Sequence, residues 1–241
     1  MQHLDGKFRD MKKVFIGTPA YEGKVHVQYL TSMVDLCKLL ELRGYTPVLR
    51  VLAGGSLLVA DRNRILQMFW ETEADYAVLI DSDLGFDPTA VIRLIDADKE
   101  LSGGVYPSRD GASFNFRPIL EESGKIVMCP DTLLLKMSYI PAGFMVMKRS
   151  ALEKMRNCFP ELYYSPKYRD NETESAFCLF NTEVFEGEFW GEDYVFCRRV
   201  TEAEIDIWVD PLIPFNHAGV MGSLISALTI DPEKAIENYG D

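Results

Sequence analysis

Nowhere in the 241 residues do eighteen apolar residues run together, and the N-terminal stretch MQHLDGKFRDMKK holds no apolar segment of signal-peptide length. A membrane-spanning helix and a secretory leader are therefore not expected, and the protein is read as soluble and cytoplasmic. Positive charge is in short supply: 25 Lys and Arg stand against 37 Asp and Glu, a net charge of −12. Diffuse phosphate binding needs a basic face, so a nucleic-acid partner is disfavoured, and an anionic substrate would need a local cation or metal. The five cysteines (Cys37, Cys129, Cys158, Cys178, Cys197) contain no CxxC pair and are odd in number. That disfavours a disulfide framework and suits a reducing compartment. Histidine is scarce as well, with only His3, His26 and His217, and there is no internal repeat, low-complexity tract or linker.

What is present is a substantial core, since 47% of the residues are hydrophobic, enough for one large α/β domain. Val14-Phe15-Ile16 reads as a first strand ended by Gly17, Thr18 and Pro19. A helix follows with Val27, Leu30, Val34 and Cys37 at helical spacing and Gly44 as its stop. Pro47 to Ala53 reads as a second strand. Ser56 is placed to cap a second helix that carries Leu58, Ile65 and Phe69 on one face through Trp70. Tyr76 to Ile80 is continuous and bulky, as a strand buried on both faces should be. Pro88 opens a short helix with Val91, Ile92 and Ile95, and GGVYP (Gly103 to Pro107) suggests a fourth strand. Alternating β and α over the first hundred residues predicts a mainly parallel central sheet with helices on both faces.

From about Ser108 the rhythm changes to short β-like segments at Phe114 to Leu120, Lys125 to Met128 and Gly143 to Lys148, then a short helix from Ser150 to Asn157. Phe159 to Glu188 is aromatic, acidic and irregular and reads as a surface loop with one strand at Phe177 to Phe180. Gly191 to Glu202 reads as the last helix and Ile205 to Val209 as the last strand.

Chemistry gathers at four places. Asp81 and Asp83 lie two residues apart just where the third strand ends, the carboxyl edge at which open α/β sheets bind ligands. If the chain stays extended they project to one side as metal ligands. The alternative is a capped turn, for which Asp and Ser are good residues. Hard oxygen ligands suit Mg²⁺ or Mn²⁺, and His217 in PFNHAG tilts the choice toward Mn²⁺ or another transition ion. His217 could equally be a histidine without a role. Glu192 and Asp193, after Trp190-Gly191, could take a proton from an acceptor hydroxyl, or simply complement a helix N-terminus. Arg62 in ADRNR is either a solvated helix charge or a group that reaches a phosphate or braces Asp81.

GTPAY (Gly17 to Tyr21), ADRN (Ala60 to Asn63), IDSD (Ile80 to Asp83), GGVYP, PAGFMVMKR (Pro141 to Arg149), GEDYVF (Gly191 to Phe196) and the late His217 occur in that order. In this order they resemble the metal-dependent GT-A glycosyltransferases, particularly compact single-domain forms of large DNA viruses and phages. The likeness runs from Val14 to about Gly219. It implies one Rossmann-like GT-A domain over 1–241, with a nucleotide-binding half at 1–107 and a β-rich acceptor and sugar half at 108–241. It implies transfer of a sugar from a UDP donor to a hydroxyl of a glycan or other acceptor, dependent on Mn²⁺ or Mg²⁺ and inverting, in the cytoplasm, that of the host for a viral protein.

By the same likeness Thr18, Pro19, Ala20 and Tyr21 line the uridine pocket, with Arg62 and Ser82 on the nucleotide side. Asp81 contacts the ribose or the hydrated metal, and Asp83 and His217 bind the metal. Tyr106 and the Ala142-Gly143-Phe144 turn flank the sugar, and Asp193, beside Glu192, is the base. Two departures stand out: Leu84-Gly85-Phe86 follows the acidic triplet, and Tyr163 to Trp190 matches nothing in the family, so acceptor choice is assigned there. Three rival readings differ from this one in their motifs. A haloacid-dehalogenase-type phosphohydrolase would carry its DxD on the first strand and continue it with Thr or Val. A non-catalytic nucleotide-sugar binding protein would keep the fold and lose turnover. A sugar nucleotidyltransferase would show a glycine- and lysine-rich loop after the first strand.

Overall fold

A computed structural model describes residues 11–55, 57–165 and 175–230. His3, the cap expected of Ser56 and the middle of the Phe159 to Glu188 segment lie outside them. The strands are β1 (Lys13–Ala20), β2 (Thr46–Ala53), β3 (Tyr76–Ile80), β4 (Leu84–Phe86), β5 (Leu101–Gly103), β6 (Arg117–Pro118), β7 (Leu135–Tyr139), β8 (Phe144–Lys148), β9 (Tyr163–Tyr164), β10 (Ala176–Phe177), β11 (Glu183–Phe185), β12 (Glu188–Trp190), β13 (Ile207–Val209), β14 (Phe215–His217) and β15 (Val220–Gly222). The helices are α1 (Val27–Leu42), α2 (Leu58–Glu71), α3 (Thr89–Asp96), α4 (Arg149–Cys158), α5 (Glu192–Glu202) and α6 (Leu224–Ile230). None is long and apolar enough to cross a membrane among the described residues.

Eight strands form one mixed sheet in the order β2-β1-β3-β8-β5-β13-β7-β6. β2, β1 and β3 are parallel neighbours, as are β5 and β13. β8 runs antiparallel between β3 and β5, and β7 antiparallel between β13 and β6. Only β7 and β8 therefore oppose the common direction. Pro47, which has no N–H to give a ladder, is tolerated because β2 is the edge strand.

The continuous apolar strands have the burial that produces them. In β3, Tyr76, Val78 and Ile80 face one core layer with α1 and α3, while Ala77 and Leu79 face the other with α2, α4 and α5. β8 divides the same way, Phe144 and Val146 against Met145 and Met147. With both faces covered, every side chain of β3 is buried and alternation disappears.

Several expectations are corrected. In α1 the buried stripe is Tyr29, Ser32, Met33, Leu36 and Leu40, whereas Val27, Leu30 and Val34 are exposed. Both stripes are largely apolar, and tertiary contact with β4 selects the one that begins at Tyr29. Its stop is as read: Gly44, at φ +81°, occupies the left-handed position beyond the helix end. On α2, Ile65 and Phe69 are buried but Leu58 is exposed. β7 was not expected, and Ile205 to Val209 is not the last strand, since β14 and β15 follow it and α6 follows α5. Within the irregular segment β11 and β12 make a hairpin whose two-residue turn, Glu186-Gly187, has φ of 52° and 88°, the pattern of a type I′ turn.

Candidate functional site

The acidic triplet is a turn and not an extended strand end. Asp81 N–H donates to the Gly143 carbonyl at 2.9 Å, which continues the β3–β8 ladder, and Leu84 N–H then reaches back to the Asp81 carbonyl at 3.3 Å. The chain re-emerges as β4, which pairs antiparallel with β14 in the register His217 opposite Leu84. Leu84-Gly85-Phe86, the departure from the family pattern, is thus what brings the late histidine to the triplet. Ala218 N–H donates to the Asp83 carbonyl at 3.1 Å and completes the junction.

The turn sends the two carboxylates to different partners. Asp83, only 6% exposed, meets His217, whose Nε2 lies 3.3 Å from Asp83 Oδ2. The Pro107 carbonyl lies 2.6 Å from His217 Nδ1 and can only accept, so Nδ1 carries a proton. Nε2 then faces the carboxylate with either a second proton or a lone pair that needs a cation between. Arg109 supplies a cation: its Nε and Nη2 donate to the same Asp83 oxygen at 3.1 and 2.7 Å. Burial draws the pKa of Asp83 up, but hydrogen bonds and charge from His217 and Arg109 outweigh it and hold it down at about 2. Asp83 in turn raises the proton affinity of His217 against the effect of burial.

Asp81 belongs to a second cluster centred on Arg62. Nη2 of this buried guanidinium donates to both oxygens of Asp81 at 3.2 and 3.3 Å, while Nη1 donates to Glu192 at 3.0 Å and Asp193 at 2.6 Å. Desolvation alone would favour neutral arginine, yet three carboxylates overrule it and Arg62 stays charged. Asp193 is pushed up to about 6: burial is the main cause, the Arg62 charge opposes it, Glu192 and Asp81 add to it, and the Ala142 N–H donated to its carboxylate lowers it. Both acids sit in the first turn of α5 after Gly191, so the helix dipole also favours their charge.

The other expected residues divide by strand parity. A cavity of about 300 Å³ is walled by Pro19, Tyr21, Leu58, Asp61, Asp81, Ser82, Asp83 and Arg109. Thr18 and Ala20 do not line it: Thr18 is fully buried with its hydroxyl 2.7 Å from that of Tyr29, and Ala20 is buried as well. Phe144 is also a core residue, packed against Phe86 and Phe215, because alternation in β8 turns it away from the site. Gly143 is the close-approach residue of that turn, where a Cβ would meet the Tyr106 hydroxyl and the Asp81 carboxylate. Tyr106 packs edge-on to His217 at 5.0 Å between ring centres, and burial beside Asp81 raises its pKa, so the hydroxyl keeps its proton. A second cavity, of about 460 Å³, has Arg117, Glu188, Phe189, Trp190 and Tyr194 in its wall, so residues on either side of the acidic pair in the chain line it while the pair itself does not.

Arg109 and Asp61 were not anticipated. A single arginine in the loop after GGVYP carries no pattern, but Asp61 had a signal: it adjoins Arg62 and follows Gly54-Gly55. Asn63 is structural, its amide exchanging two 2.8 Å hydrogen bonds with the Phe180 backbone.

Among the described residues no group of three or more His, Cys, Asp and Glu is assembled around one point for a metal. The donor set fits a divalent ion only as a partial site, Asp83 Oδ2 with His217 Nε2, whose Nδ1–H is already anchored as in metal-bound histidines. Asp81 is turned to Arg62 and is not part of that pair.

No family model matches the chain, and no curated protein matches it. Among solved structures it is similar to GalNAc-T7 crystallised with UDP, GalNAc and Mn²⁺, with a TM-score of 0.44 and 10% identity over 91% of this chain and 48% of that one. It is also similar to a glycosyltransferase involved in glycosylation of the major capsid of PBCV-1, with a TM-score of 0.35 and 14% identity over 67% of this chain and 72% of that one. A third is S. aureus TarS 1-349, with a TM-score of 0.38 and 12% identity over 83% of this chain and 58% of that one. The chain spans about half the length of the GalNAc-T7 chain.

Proposed function

We propose that the protein transfers a glycosyl group from a nucleoside-diphosphate sugar, UDP-linked by the family resemblance, to an acceptor hydroxyl with inversion at the anomeric carbon. The observation that carries this reading is Arg62, which joins Asp81, in the wall of the 300 Å³ cavity, to Asp193, whose chain neighbour Tyr194 lines the 460 Å³ one. Donor-side and acceptor-side carboxylates are thus held by one guanidinium.

In this reading Pro19, Tyr21 and Ser82 border the nucleotide, and Gly143 and Tyr106 border the sugar. Asp193 has a proton affinity near neutrality, where a general base works best. It takes the acceptor proton as the acceptor oxygen bonds to the anomeric carbon and the bond to the diphosphate oxygen breaks. Asp83 and His217 would hold Mn²⁺ or Mg²⁺, which when bound neutralises charge on the diphosphate. Arg109 lies within reach of the same charge. The aromatic wall at Phe189, Trp190 and Tyr194 gives the acceptor a face to stack on.

The experiment is a thermal-shift series with UDP, GDP, CDP and ADP, each with and without Mn²⁺, since a ligand of the native state raises its melting temperature by mass action. A metal-dependent rise with UDP, followed by transfer from a UDP-sugar that Asp193→Asn abolishes, is expected. No response to any of the four nucleotides would refute the reading.

A further inference from the structure

Arg62 on α2 reaches Glu192 and Asp193 only while α2 and the first turn of α5 keep their distance, and one short segment is fastened to both helices. Asn63, the next residue on α2, accepts the Phe180 N–H and donates to the Phe180 carbonyl, each at 2.8 Å. From α5, the buried Arg199 donates to the carbonyls of Cys178 and Leu179 at 2.6 and 2.8 Å. Three consecutive residues are thus clamped from two helices. Phe180, the last of them, is fully buried; its ring stacks on Phe196 with centres 4.1 Å apart and planes 4° apart, and the Arg62 guanidinium carbon sits over the same ring at 5.6 Å. Phe196 lies about one turn beyond Asp193 on α5, so the ring ties the guanidinium to the helix that carries the acidic pair.

We propose that Phe180 is a positioning residue: held by Asn63 and Arg199, its ring fixes where the Arg62 guanidinium stands relative to Asp193. The inference rests on the glycosyl-transfer reading above for the role of Asp193, and it adds a residue that acts on that base only through Arg62. Core filling alone would be served by Leu or Met at this position, whereas a guanidinium is attracted by the face of an aromatic ring. The carboxylates occupy the N–H donors of Arg62, and the ring contact takes no hydrogen bond from them. Position matters because Arg62 opposes the rise in the Asp193 pKa, to which Glu192 and Asp81 add. The other titratable groups around Asp193 are Tyr106, Tyr139, Tyr194 and Cys197; burial raises the proton affinity of each, so they stay neutral where Asp193 titrates. A guanidinium standing about 1 Å further away, at an effective dielectric of about 20, moves that titration up by about one pH unit.

The test follows the Asp193 titration in two ways, by the climbing limb of the pH–rate profile and by carboxyl NMR of nucleotide-free protein, in Phe180→Leu, Asn63→Ser and Phe180→Tyr. Leu keeps the space apolar but removes the aromatic face, and Ser releases the Phe180 backbone. In both variants the limb and the NMR midpoint are expected to move up by about one pH unit. Tyr keeps the ring and should leave both where wild type has them. As a control for lost packing alone, Leu36→Ala, in the core layer on the other face of the sheet, should lower the melting temperature without moving the titration. A titration that stays within about 0.3 pH unit of wild type, or moves down, in both Phe180→Leu and Asn63→Ser would overturn the inference and leave the segment with a purely structural role. Because the NMR titration needs no donor, it decides the role of Phe180 even where transfer is absent, an outcome that would refute the glycosyltransferase reading alone.

Discussion

Replacing Asp193 by Asn should stabilise the protein at neutral pH while it destroys transfer. The wild-type carboxyl is pushed to about 6 in the folded state, against an ordinary 3.8. Its side chain is only 20% exposed, so solvent screening does not erase the effect. Below about pH 4 the group is protonated in both folded and unfolded chains and contributes no difference. As pH rises through the window from 3.8 to about 6, the unfolded chain releases the proton first, and the folded state loses stability relative to it. Above that window the loss is complete. At about 1.4 kcal/mol for each pH unit, the gap amounts to about 3 kcal/mol.

Asn keeps an oxygen for the Arg62 Nη1–H and for the Ala142 N–H but carries no charge to desolvate. The stability difference between variant and wild type, measured by urea unfolding, should therefore rise from near zero at about pH 4 to about 3 kcal/mol at about pH 7.5. Transfer should fall by about 10²–10⁴, the usual worth of a positioned base. A variant that is less stable than wild type at neutral pH, or equally stabilised at both pH values, would refute the assignment of a desolvated, charged Asp193.

With wild type, the transfer rate should climb as pH rises through about 6 and then level, which a pH–rate profile checks. Arg62→Lys replaces a fork spanning three carboxylates with a point charge, and because Arg62 opposes the rise in the Asp193 pKa, the climbing limb should move to higher pH. Arg109→Ala should cost less than about 1 kcal/mol of stability, since its side chain is 73% exposed. Because it frees Asp83 Oδ2, it should also tighten Mn²⁺ binding by nucleotide-free protein, read by titration with paramagnetic detection. Gly143→Ala should place a methyl on Tyr106 and Asp81 and cost about 1–3 kcal/mol, seen as a lowered melting temperature together with lost donor binding.

The elements that were legible in the sequence are those whose pattern comes from their own burial. β1 and β3 are continuous apolar runs because both faces are covered, and turn formers punctuate them. β4, β14 and β15 are three residues each and exist because they pair with one another, so no local period announces them. α1 shows the limit of periodicity: two apolar stripes compete on one helix, and only the packing of β4 and α3 against it decides between them.

The same limit governs the site. Motif order located the acidic triplet, Arg62, the Glu192-Asp193 pair and His217, but a motif does not carry strand parity. Thr18, Ala20 and Phe144 were therefore expected at the cavity and lie in the core, while their neighbours Pro19, Tyr21 and Gly143 approach the cavity or the Asp81 carboxylate. Nor does spacing tell two carboxylates in a DxD from two separate charge clusters; the turn at Ser82 does, by giving Asp81 to Arg62 and Asp83 to His217. That separation has a chemical consequence. A cation arriving at Asp83 competes with Arg109, an exposed side chain that can move away, whereas Asp81 is held by a buried arginine that cannot. The Asp83 end is built to exchange its counter-ion and the Asp81 end to keep it, which is the division of labour a site needs if its donor comes and goes while its base stays poised.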